Sequence, residues 1–231
     1  MPAENGRGAT SSAGSANPID RRMRFGWVPA GLHTWRAADG AALFHRLRFV
    51  RPQRGEAGAE LNVCLESLHF DGRAWRGGEP APPPGGRPVF MLPELLAADA
   101  ALPVYVMPDE TVAAMLFSLG LPATTGAGAP PRDTDWSPLC GRRLRLWPVQ
   151  GRAARLARRE LLAHLRGLGH VVEELDCAPR CWPSGADAAQ GFGAVSHLAK
   201  AGYGGASLHS VSGRLAFAAA ARARHLVIRD A

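Results

Sequence analysis

The sequence lacks several features that define large classes of protein. No apolar run reaches the roughly 18 to 20 residues that a helix needs to cross a bilayer. The polar N-terminus has no apolar core of the kind found in signal peptides. Four cysteines (Cys64, Cys140, Cys177 and Cys181) are too few and too scattered for a disulfide framework. These absences predict a cytoplasmic protein with reduced cysteines and no membrane partner.

Motifs of several common catalytic classes are also missing. There is no phosphate loop of the G-x-x-x-x-G-K-[ST] type and no G-x-S-x-G nucleophile elbow. Cys177 and Cys181 supply at most half of a zinc site, since no histidine lies beside them at metal-ligand spacing. The sequence therefore assigns no catalytic nucleophile, no metal ligands and no cofactor.

Positive charge in this chain is almost entirely arginine. Lys200 is the one lysine among 27 basic residues, which outnumber the 20 acidic residues and give a net charge of +7. Such an excess favours a polyanionic partner, most often nucleic acid. Abundant alanine, glycine and proline also indicate a GC-rich coding bias, which enriches arginine without any functional reason. The placement of the arginines is therefore more informative than their number.

The first third of the chain has the pattern of a small β structure. Residues 1–19 are small and polar, and we expect them to be disordered. Residues 25–76 contain short alternating runs separated by Asp-Gly turns at 39–40 and 71–72. The proline-rich segment 79–88 is typical of a loop. We predict a β-rich subdomain over residues 20–88 that ends in this loop.

From residue 89 onward, predicted strands alternate with predicted helices. The helices are expected at 92–96, 109–119 and 152–168, and the strands at 103–107, 121–125, 143–147 and 170–175. This alternation implies a parallel sheet with helical crossovers. The α/β domain is predicted over 89–195. The alanine-rich run at 216–224 favours helix, so residues 196–231 are predicted to be a helical appendage.

The helix predicted at 152–168 has two distinct sides. One arc of roughly 80° is apolar and should pack on the sheet; it holds Ala154, Ala157, Leu161, Leu165 and Leu168. The opposite arc is basic and holds Arg152, Arg155, Arg159 and Arg166. Two interpretations of the basic arc stay open: an ordinary solvated surface, or a face that follows phosphates.

An ordered series of segments resembles a known family. The series is DG at 39–40 leading to RF at 48–49, WRG at 75–77, VFMLPELL at 89–96, GLPATTGAG at 120–128, then Trp136, Leu139 and Gly141 before LWP at 146–148, and PSGADAAQ at 183–190. Over residues 39–191 it resembles the TOPRIM region of phage- and plasmid-type DNA primases and primase-helicases. The resemblance implies a TOPRIM-like, Rossmann-like α/β fold: a mostly parallel sheet with flanking helices, preceded by a small antiparallel β unit.

The chain departs from this family at the residues that would hold metal. The family's glutamate aligns with Pro108, and its D-x-D pair aligns with Val149 and Gly151. Magnesium requires oxygen ligands, and paired metals drive the family's phosphoryl chemistry. Gln190 also replaces the last aspartate of the closing segment. The resemblance therefore implies a pseudo-enzyme.

Three carboxylates remain near the family's metal positions, namely Asp109, Glu110 and Asp187. Whether they support residual metal binding stays open at this point. An active magnesium-dependent primase or nuclease would need further carboxylates from elsewhere in the chain or from a partner.

The resulting functional prediction is a non-catalytic nucleic-acid-binding accessory in replication or in a mobile-element or defence system, with single-stranded DNA favoured. In the family, nucleic acid approaches the carboxyl ends of the sheet strands. The predicted binding residues are Arg142, Arg143, Arg152, Arg155, Arg159 and Arg166, and Trp75 and Trp147 could stack on bases. The alternative is an interaction subunit for a helicase, a polymerase or another complex component, which would use the loop at 79–88 and the C-terminal helix.

Overall fold

The computed structural model describes residues 18–51, 62–118, 120–126, 128–149, 151–177 and 226–229. These residues form a mixed α/β structure that contains a four-stranded antiparallel sheet and a five-stranded, mostly parallel sheet. Within these ranges, no helix combines the length and the apolar character needed to cross a membrane.

The antiparallel sheet comes from the N-terminal part of the chain. A short helix, α1 (Pro18–Arg24), precedes four strands: β1 (Val28–Arg36), β2 (Ala42–Arg51), β3 (Asn62–Phe70) and β4 (Trp75–Gly77). The strands are hydrogen-bonded in chain order. The Asp-Gly pairs at 39–40 and 71–72 form the β1–β2 and β3–β4 connections, as their turn chemistry predicts. The small antiparallel β unit is thereby confirmed.

The boundary predicted for the disordered N-terminus is too late by two residues. Pro18 and Ile19 open α1, and Ile19 packs against a small core formed by Leu47, Phe49 and Leu68. Proline suits the first turn of a helix, where its missing N–H has no intrahelical partner to lose. The remaining residues of the predicted disordered segment, 1–17, lie outside the described residues.

The second sheet is built from the rest of the chain. Its elements, with two short flanking strands, are β5 (Arg87–Pro88), α2 (Leu92–Ala97), β6 (Val104–Val106), α3 (Glu110–Ser118), β7 (Ala123–Thr124), β8 (Thr134–Asp135), β9 (Leu144–Leu146), α4 (Arg152–Gly167), β10 (Val172–Cys177) and β11 (Leu226–Arg229). The strand order is β11-β10-β9-β6-β7. The four strands β10, β9, β6 and β7 are parallel, while β5 pairs with β8 in a separate ladder.

This strand order creates a switch point between β6 and β9. The chain leaves β6 to form β7 on one side and then crosses over to form β9 on the other side. In open parallel sheets, ligands bind in the crevice that such a reversal leaves outside the carboxyl ends of the strands. The fold therefore directs attention to the residues that follow β6 and β9.

Both faces of the parallel sheet contribute to the core. On one face, the valines and leucines of β6 and β9 pack against Leu92 and Leu95 of α2 and Leu165 of α4. On the other face, buried residues of α3 join Trp35 and Phe44 of the antiparallel sheet in a single cluster. Because that cluster draws on both sides of residue 88, the predicted β subdomain and the predicted α/β domain share buried surface.

The C-terminal strand corrects one prediction. Of the segment 196–231, predicted to be a helical appendage, the described residues Leu226–Arg229 form β11 instead. They pair antiparallel with β10, from Cys177 opposite Leu226 to Glu174 opposite Arg229. Val227 and Ile228 are β-branched and suit a strand, and the edge of β10 offers unpaired backbone groups. The helix predicted at 216–224 and the family segment at 183–190 lie outside the described residues.

Candidate functional site

A cleft of about 400 Å³ opens at the carboxyl ends of β6 and β9. Pro108 follows β6 and Val149 follows β9, and both side chains line this cleft together with Trp147. The opposite wall is formed by Gly126 and residues 128–131 and by the first turns of α4. Two of the three positions that the TOPRIM resemblance aligns with metal-binding carboxylates, Pro108 and Val149, thus line the same cleft, and both are apolar.

The backbone at Gly151 also departs from what a metal-binding aspartate would need. Gly151 precedes α4 with φ 85° and ψ 149°. This region of backbone space is essentially restricted to glycine, and other residues held there cost of order 1–3 kcal/mol. The second aspartate of the family's D-x-D pair would therefore be strained at this position.

The carboxylate of Glu110 forms a buried ion pair. Its side chain is 2% exposed and accepts a hydrogen bond from Arg46 of β2, which is 3% exposed. Arg46 also pairs with Glu79, whose other carboxylate oxygen lies 2.8 Å from Nη1 of Arg87. The Arg46 guanidinium stands 5.3 Å from the centre of the Trp35 ring. Glu110 cannot bind a metal unless it leaves Arg46 buried without this partner.

The glycine-rich loop lies against the same guanidinium. A Cβ atom added to Gly128, which has φ 84°, would lie 2.8 Å from Nη2 of Arg46. A Cβ atom on Gly126 would lie 2.7 Å from the ring of the buried Trp136. Glycine is therefore needed at both positions for this loop to approach its neighbours so closely.

Asp109 has a structural role as well. Its Oδ1 accepts a hydrogen bond of 2.9 Å from the backbone N–H of Val112 and so caps the N-terminus of α3. Burial raises the pKa of this carboxyl group above its ordinary value. In the described ranges, no group of three or more His, Cys, Asp or Glu residues is placed to hold a metal ion. Asp187 and Gln190 are outside those ranges.

The described part of α4 largely has the two sides that its periodicity predicts. Leu165 is buried, and Ala154 and Leu161 are half-buried on the sheet side, whereas Ala157 and Leu168 are exposed. The four arginines of the basic arc, Arg152, Arg155, Arg159 and Arg166, are all exposed. Arg166 lies 3.7 Å from Glu174. Among the residues that the structure describes, Arg152, Arg155 and Arg159 have no ion-pair partner.

Arg158 is an anchoring residue that the sequence interpretation missed. Its guanidinium donates to the carbonyl oxygen of Trp147 at 3.1 Å, to Glu174 at 2.8 Å and to the carbonyl oxygen of Leu175 at 3.3 Å. These bonds attach α4 to the end of β9 and to β10. The available signal was its position, one turn after Ala154 and therefore beside the apolar arc rather than among the exposed arginines.

Arg142, one of the six predicted nucleic-acid-binding residues, has a structural role instead. It is 9% exposed and donates hydrogen bonds to the carbonyl oxygens of Leu95, Asp99 and Leu102 at 2.8, 2.7 and 3.2 Å. Burial lowers the pKa of this guanidinium. Its two terminal nitrogens bind α2 and the chain that follows it, and its Nε is buried, so the guanidinium is not available to a phosphate and the prediction that Arg142 binds nucleic acid is wrong.

Arg143 is exposed, but it is far from the basic face of α4 along the strand direction. It immediately precedes β9, whereas Gly151 and Arg152 follow the end of that strand. Arg143 and the start of α4 therefore lie at opposite edges of the parallel sheet. The six predicted arginines therefore do not form one surface, and the four that share an exposed side are those of α4.

The two tryptophans proposed as stacking residues have different environments. Trp147 is 3% exposed and belongs to the core, whereas Trp75 is 56% exposed on β4. Of these two, only Trp75 has a ring face that a base could reach.

No protein-family model and no curated protein matches this sequence. The TOPRIM relationship stays a prediction that rests on motif order, while the mixed α/β fold stands on the strands and helices described above.

Proposed function

We propose that this chain is a non-catalytic, TOPRIM-like module that binds nucleic acid through Arg152, Arg155 and Arg159. One observation carries the proposal: the three guanidinium groups are exposed together on one side of α4, opposite the α4 residues that line the carboxyl-edge cleft, and no described carboxylate pairs with them. Guanidinium groups bind phosphates in a bidentate manner. Single-stranded DNA is the favoured ligand. A module that binds it would act as an accessory in replication or in a mobile-element or defence system.

The absence of catalysis is part of this proposal. Pro108 and Val149 line the cleft where the family's metal would be held, and Gly151 has a backbone conformation that disfavours aspartate. Glu110 is paired with Arg46, and Asp109 caps α3. Together these features support a pseudo-enzyme that keeps the family's cleft and has lost its metal chemistry.

The test is a titration of labelled single- and double-stranded oligonucleotides across a salt series without added metal. Each phosphate contact on a single strand contributes about 0.7 log units of affinity per log unit of salt. Arg152→Ala/Arg155→Ala/Arg159→Ala should therefore reduce the slope by about 2 and weaken binding to all sequences alike.

A matched control removes the same charge elsewhere. Arg21, Arg24 and Arg51 are exposed and lie off α4, so their replacement by alanine should leave the slope close to that of the wild type. Equal slopes for the two triple variants would contradict the assignment to α4. Absence of binding by the wild type at low salt would overturn nucleic-acid binding and favour the interaction-subunit alternative. Wild-type products that depend on Mg²⁺ or Mn²⁺ would overturn the pseudo-enzyme assignment.

A further inference from the structure

The β3–β4 hairpin presents two large aromatic side chains to solvent. Phe70 and Trp75 face each other across the two strands, are 55% and 56% exposed, and have ring centroids 5.7 Å apart. His45 of β2 extends the group, with its ring 5.4 Å from that of Trp75. Thr34 Oγ1 lies 3.0 Å from Nδ1 of His45 and holds that ring in place. The three rings form a platform on one face of the antiparallel sheet.

The turn that carries this platform is ordered by its own hydrogen bonds. The Asp71 carboxylate accepts bonds from the N–H groups of Arg73 and Ala74, at 2.9 and 2.8 Å, and from Nε of Arg76 at 2.7 Å. The bond from Arg76 and the two backbone bonds hold the pKa of Asp71 well below its ordinary value. The turn between the two rings is therefore ordered before any ligand arrives, which lowers the ordering cost of binding.

The charge around the platform favours a polyanion over an apolar peptide. Residues 70–76 contain two arginines and one aspartate, and that aspartate is paired with Arg76. Arg73 is exposed and has no ion-pair partner among the described residues. The nearby carboxylate of Glu79 is held by Arg46 and Arg87. The rings thus lie beside a positive charge that phosphate could neutralise.

The platform is also connected to the cleft beside α4. A second cleft, of about 540 Å³, is lined by Phe70, by the proline-rich loop and by Gly128, Ala129 and Pro130. Those last three residues also line the cleft at the carboxyl ends of β6 and β9. One loop therefore forms a wall of both clefts, and Phe70 lies on the side of this loop that faces away from the cleft beside α4.

We infer that Phe70 and Trp75 stack on the unpaired bases of a single strand whose phosphates are bound by α4. The inference rests on the proposed function and deepens it, because it selects single-stranded over double-stranded ligand. Stacking on aromatic side chains requires bases whose faces are open, and it tolerates any base sequence.

The experiment compares three proteins on two ligands. The proteins are the wild type, Phe70→Leu/Trp75→Leu, and the ring-preserving control Phe70→Tyr/Trp75→Phe. The ligands are an oligothymidylate and an abasic oligomer of the same length, which has the phosphates without the bases. At constant salt, the leucine variant should bind the oligothymidylate at least about fivefold more weakly, which corresponds to the low end of one lost stacking contact. The control should bind within about twofold of the wild type, and abasic binding should be equal in all three.

Equal affinity of the leucine and control variants for the oligothymidylate would overturn the inference, as would an equal loss on the abasic oligomer. Neither outcome touches the proposed function, because the leucine variant keeps its salt slope while the α4 triple variant loses slope on both ligands. A second readout uses intact protein: the oligothymidylate should quench indole emission more in the wild type than in Trp75→Phe. Equal quenching in those two proteins would also overturn the inference.

Discussion

Arg46 connects the antiparallel sheet to α3 and engages the carboxylate of Glu110. Its guanidinium is enclosed by Glu110 of α3, by Glu79 and by the Trp35 ring. A buried charge of this kind is tolerated because it is paired, and breaking one partner leaves the other uncompensated. The residue therefore matters for stability, and it also holds one of the three carboxylates that lie near the metal positions implied by the resemblance.

Removing Arg46 should destabilise the fold strongly. We expect Arg46→Leu to lower the free energy of unfolding by about 3–5 kcal/mol, because Glu110 remains buried without its partner. The double variant Arg46→Leu/Glu110→Leu should be more stable than the single variant, since no buried charge is left unpaired at Glu110. Urea denaturation measures both. A single variant that loses less than about 1 kcal/mol would contradict this account.

His33 should make stability depend on pH. Its Nε2 lies 3.1 Å from Thr111 Oγ1, and burial lowers its pKa below 6.5 in the folded protein. The unfolded chain therefore takes up this proton at higher pH than the folded chain. Stability from this group is present above the unfolded pKa and is lost as pH falls through about 6.5 towards the folded value, with a limiting slope of about 1.4 kcal/mol per pH unit.

The measurement is urea unfolding at pH 7.5 and at pH 5.5 for the wild type and His33→Gln. We expect a smaller loss of stability in the variant over this interval. The pKa of His170 is also lowered by burial, so it contributes in the same direction in both proteins. The raised pKa of Asp109 contributes in the opposite direction in both, and these two effects therefore cancel in the comparison. The same loss in both proteins would exclude His33 as the origin.

At the scale of elements, α4 is bounded by two glycines with different backbone requirements. Gly151, before the helix, has φ 85° and ψ 149°, whereas Gly167 is its last residue and has an ordinary φ. A Cβ atom at either position meets no atom within 4 Å. Any difference between substitutions at the two positions therefore reports backbone conformation rather than crowding.

The same substitution should have opposite effects at the two ends of α4. Gly151→Ala should lower the free energy of unfolding by about 1–3 kcal/mol, because alanine is strained in that region. Gly167→Ala should raise it by about 0.4–1 kcal/mol, because alanine restricts the unfolded chain and fits the helix. Thermal or chemical unfolding measures both. Destabilisation of equal size at both positions would show that the strain at Gly151 is not the cause.

At the scale of the whole molecule, the parallel sheet depends on residues distant in sequence. β11 begins at residue 226, yet it pairs with β10, which ends at residue 177. The core likewise joins Trp35 and Phe44 to α3 and to Trp147. Fragments cut at the predicted boundaries near residues 88 and 195 would therefore each lose packing or pairing that the described chain uses.

Removing β11 should destabilise the chain far more than removing the residues after it. Truncation after residue 225 deletes Leu226–Arg229 and exposes the edge of β10. Truncation after Arg229 removes only two residues, keeps the strand and serves as the control. We expect a lower unfolding midpoint and more aggregation for the shorter protein, since an open edge can pair with other chains. Equal midpoints would mean that β11 contributes no stability.

Local patterns in the sequence were sufficient for most elements. The Asp-Gly turns located the hairpins, and the predicted helices at 92–96 and 152–168 match α2 and α4 to within one residue at each end. The four parallel strands were found, but three were drawn too long, as with residues 121–125 for Ala123–Thr124, and the strand predicted at 170–175 is shifted by two residues. Periodicity and turn chemistry depend on neighbours within a few positions, and for that reason they could be read without the fold.

The roles of individual charged residues could not be read in this way. Arg142 binds Leu95, which is 47 residues away, and Arg46 binds Glu110, which is 64 residues away. Sequence composition makes both look like surface arginines. Whether a guanidinium faces solvent or buried carbonyl and carboxylate groups depends on which distant segments the fold brings to it. Length, charge and periodicity therefore specified the α/β architecture and the exposed face of α4, while tertiary contacts between distant segments distinguished the structural arginines from those available to a ligand.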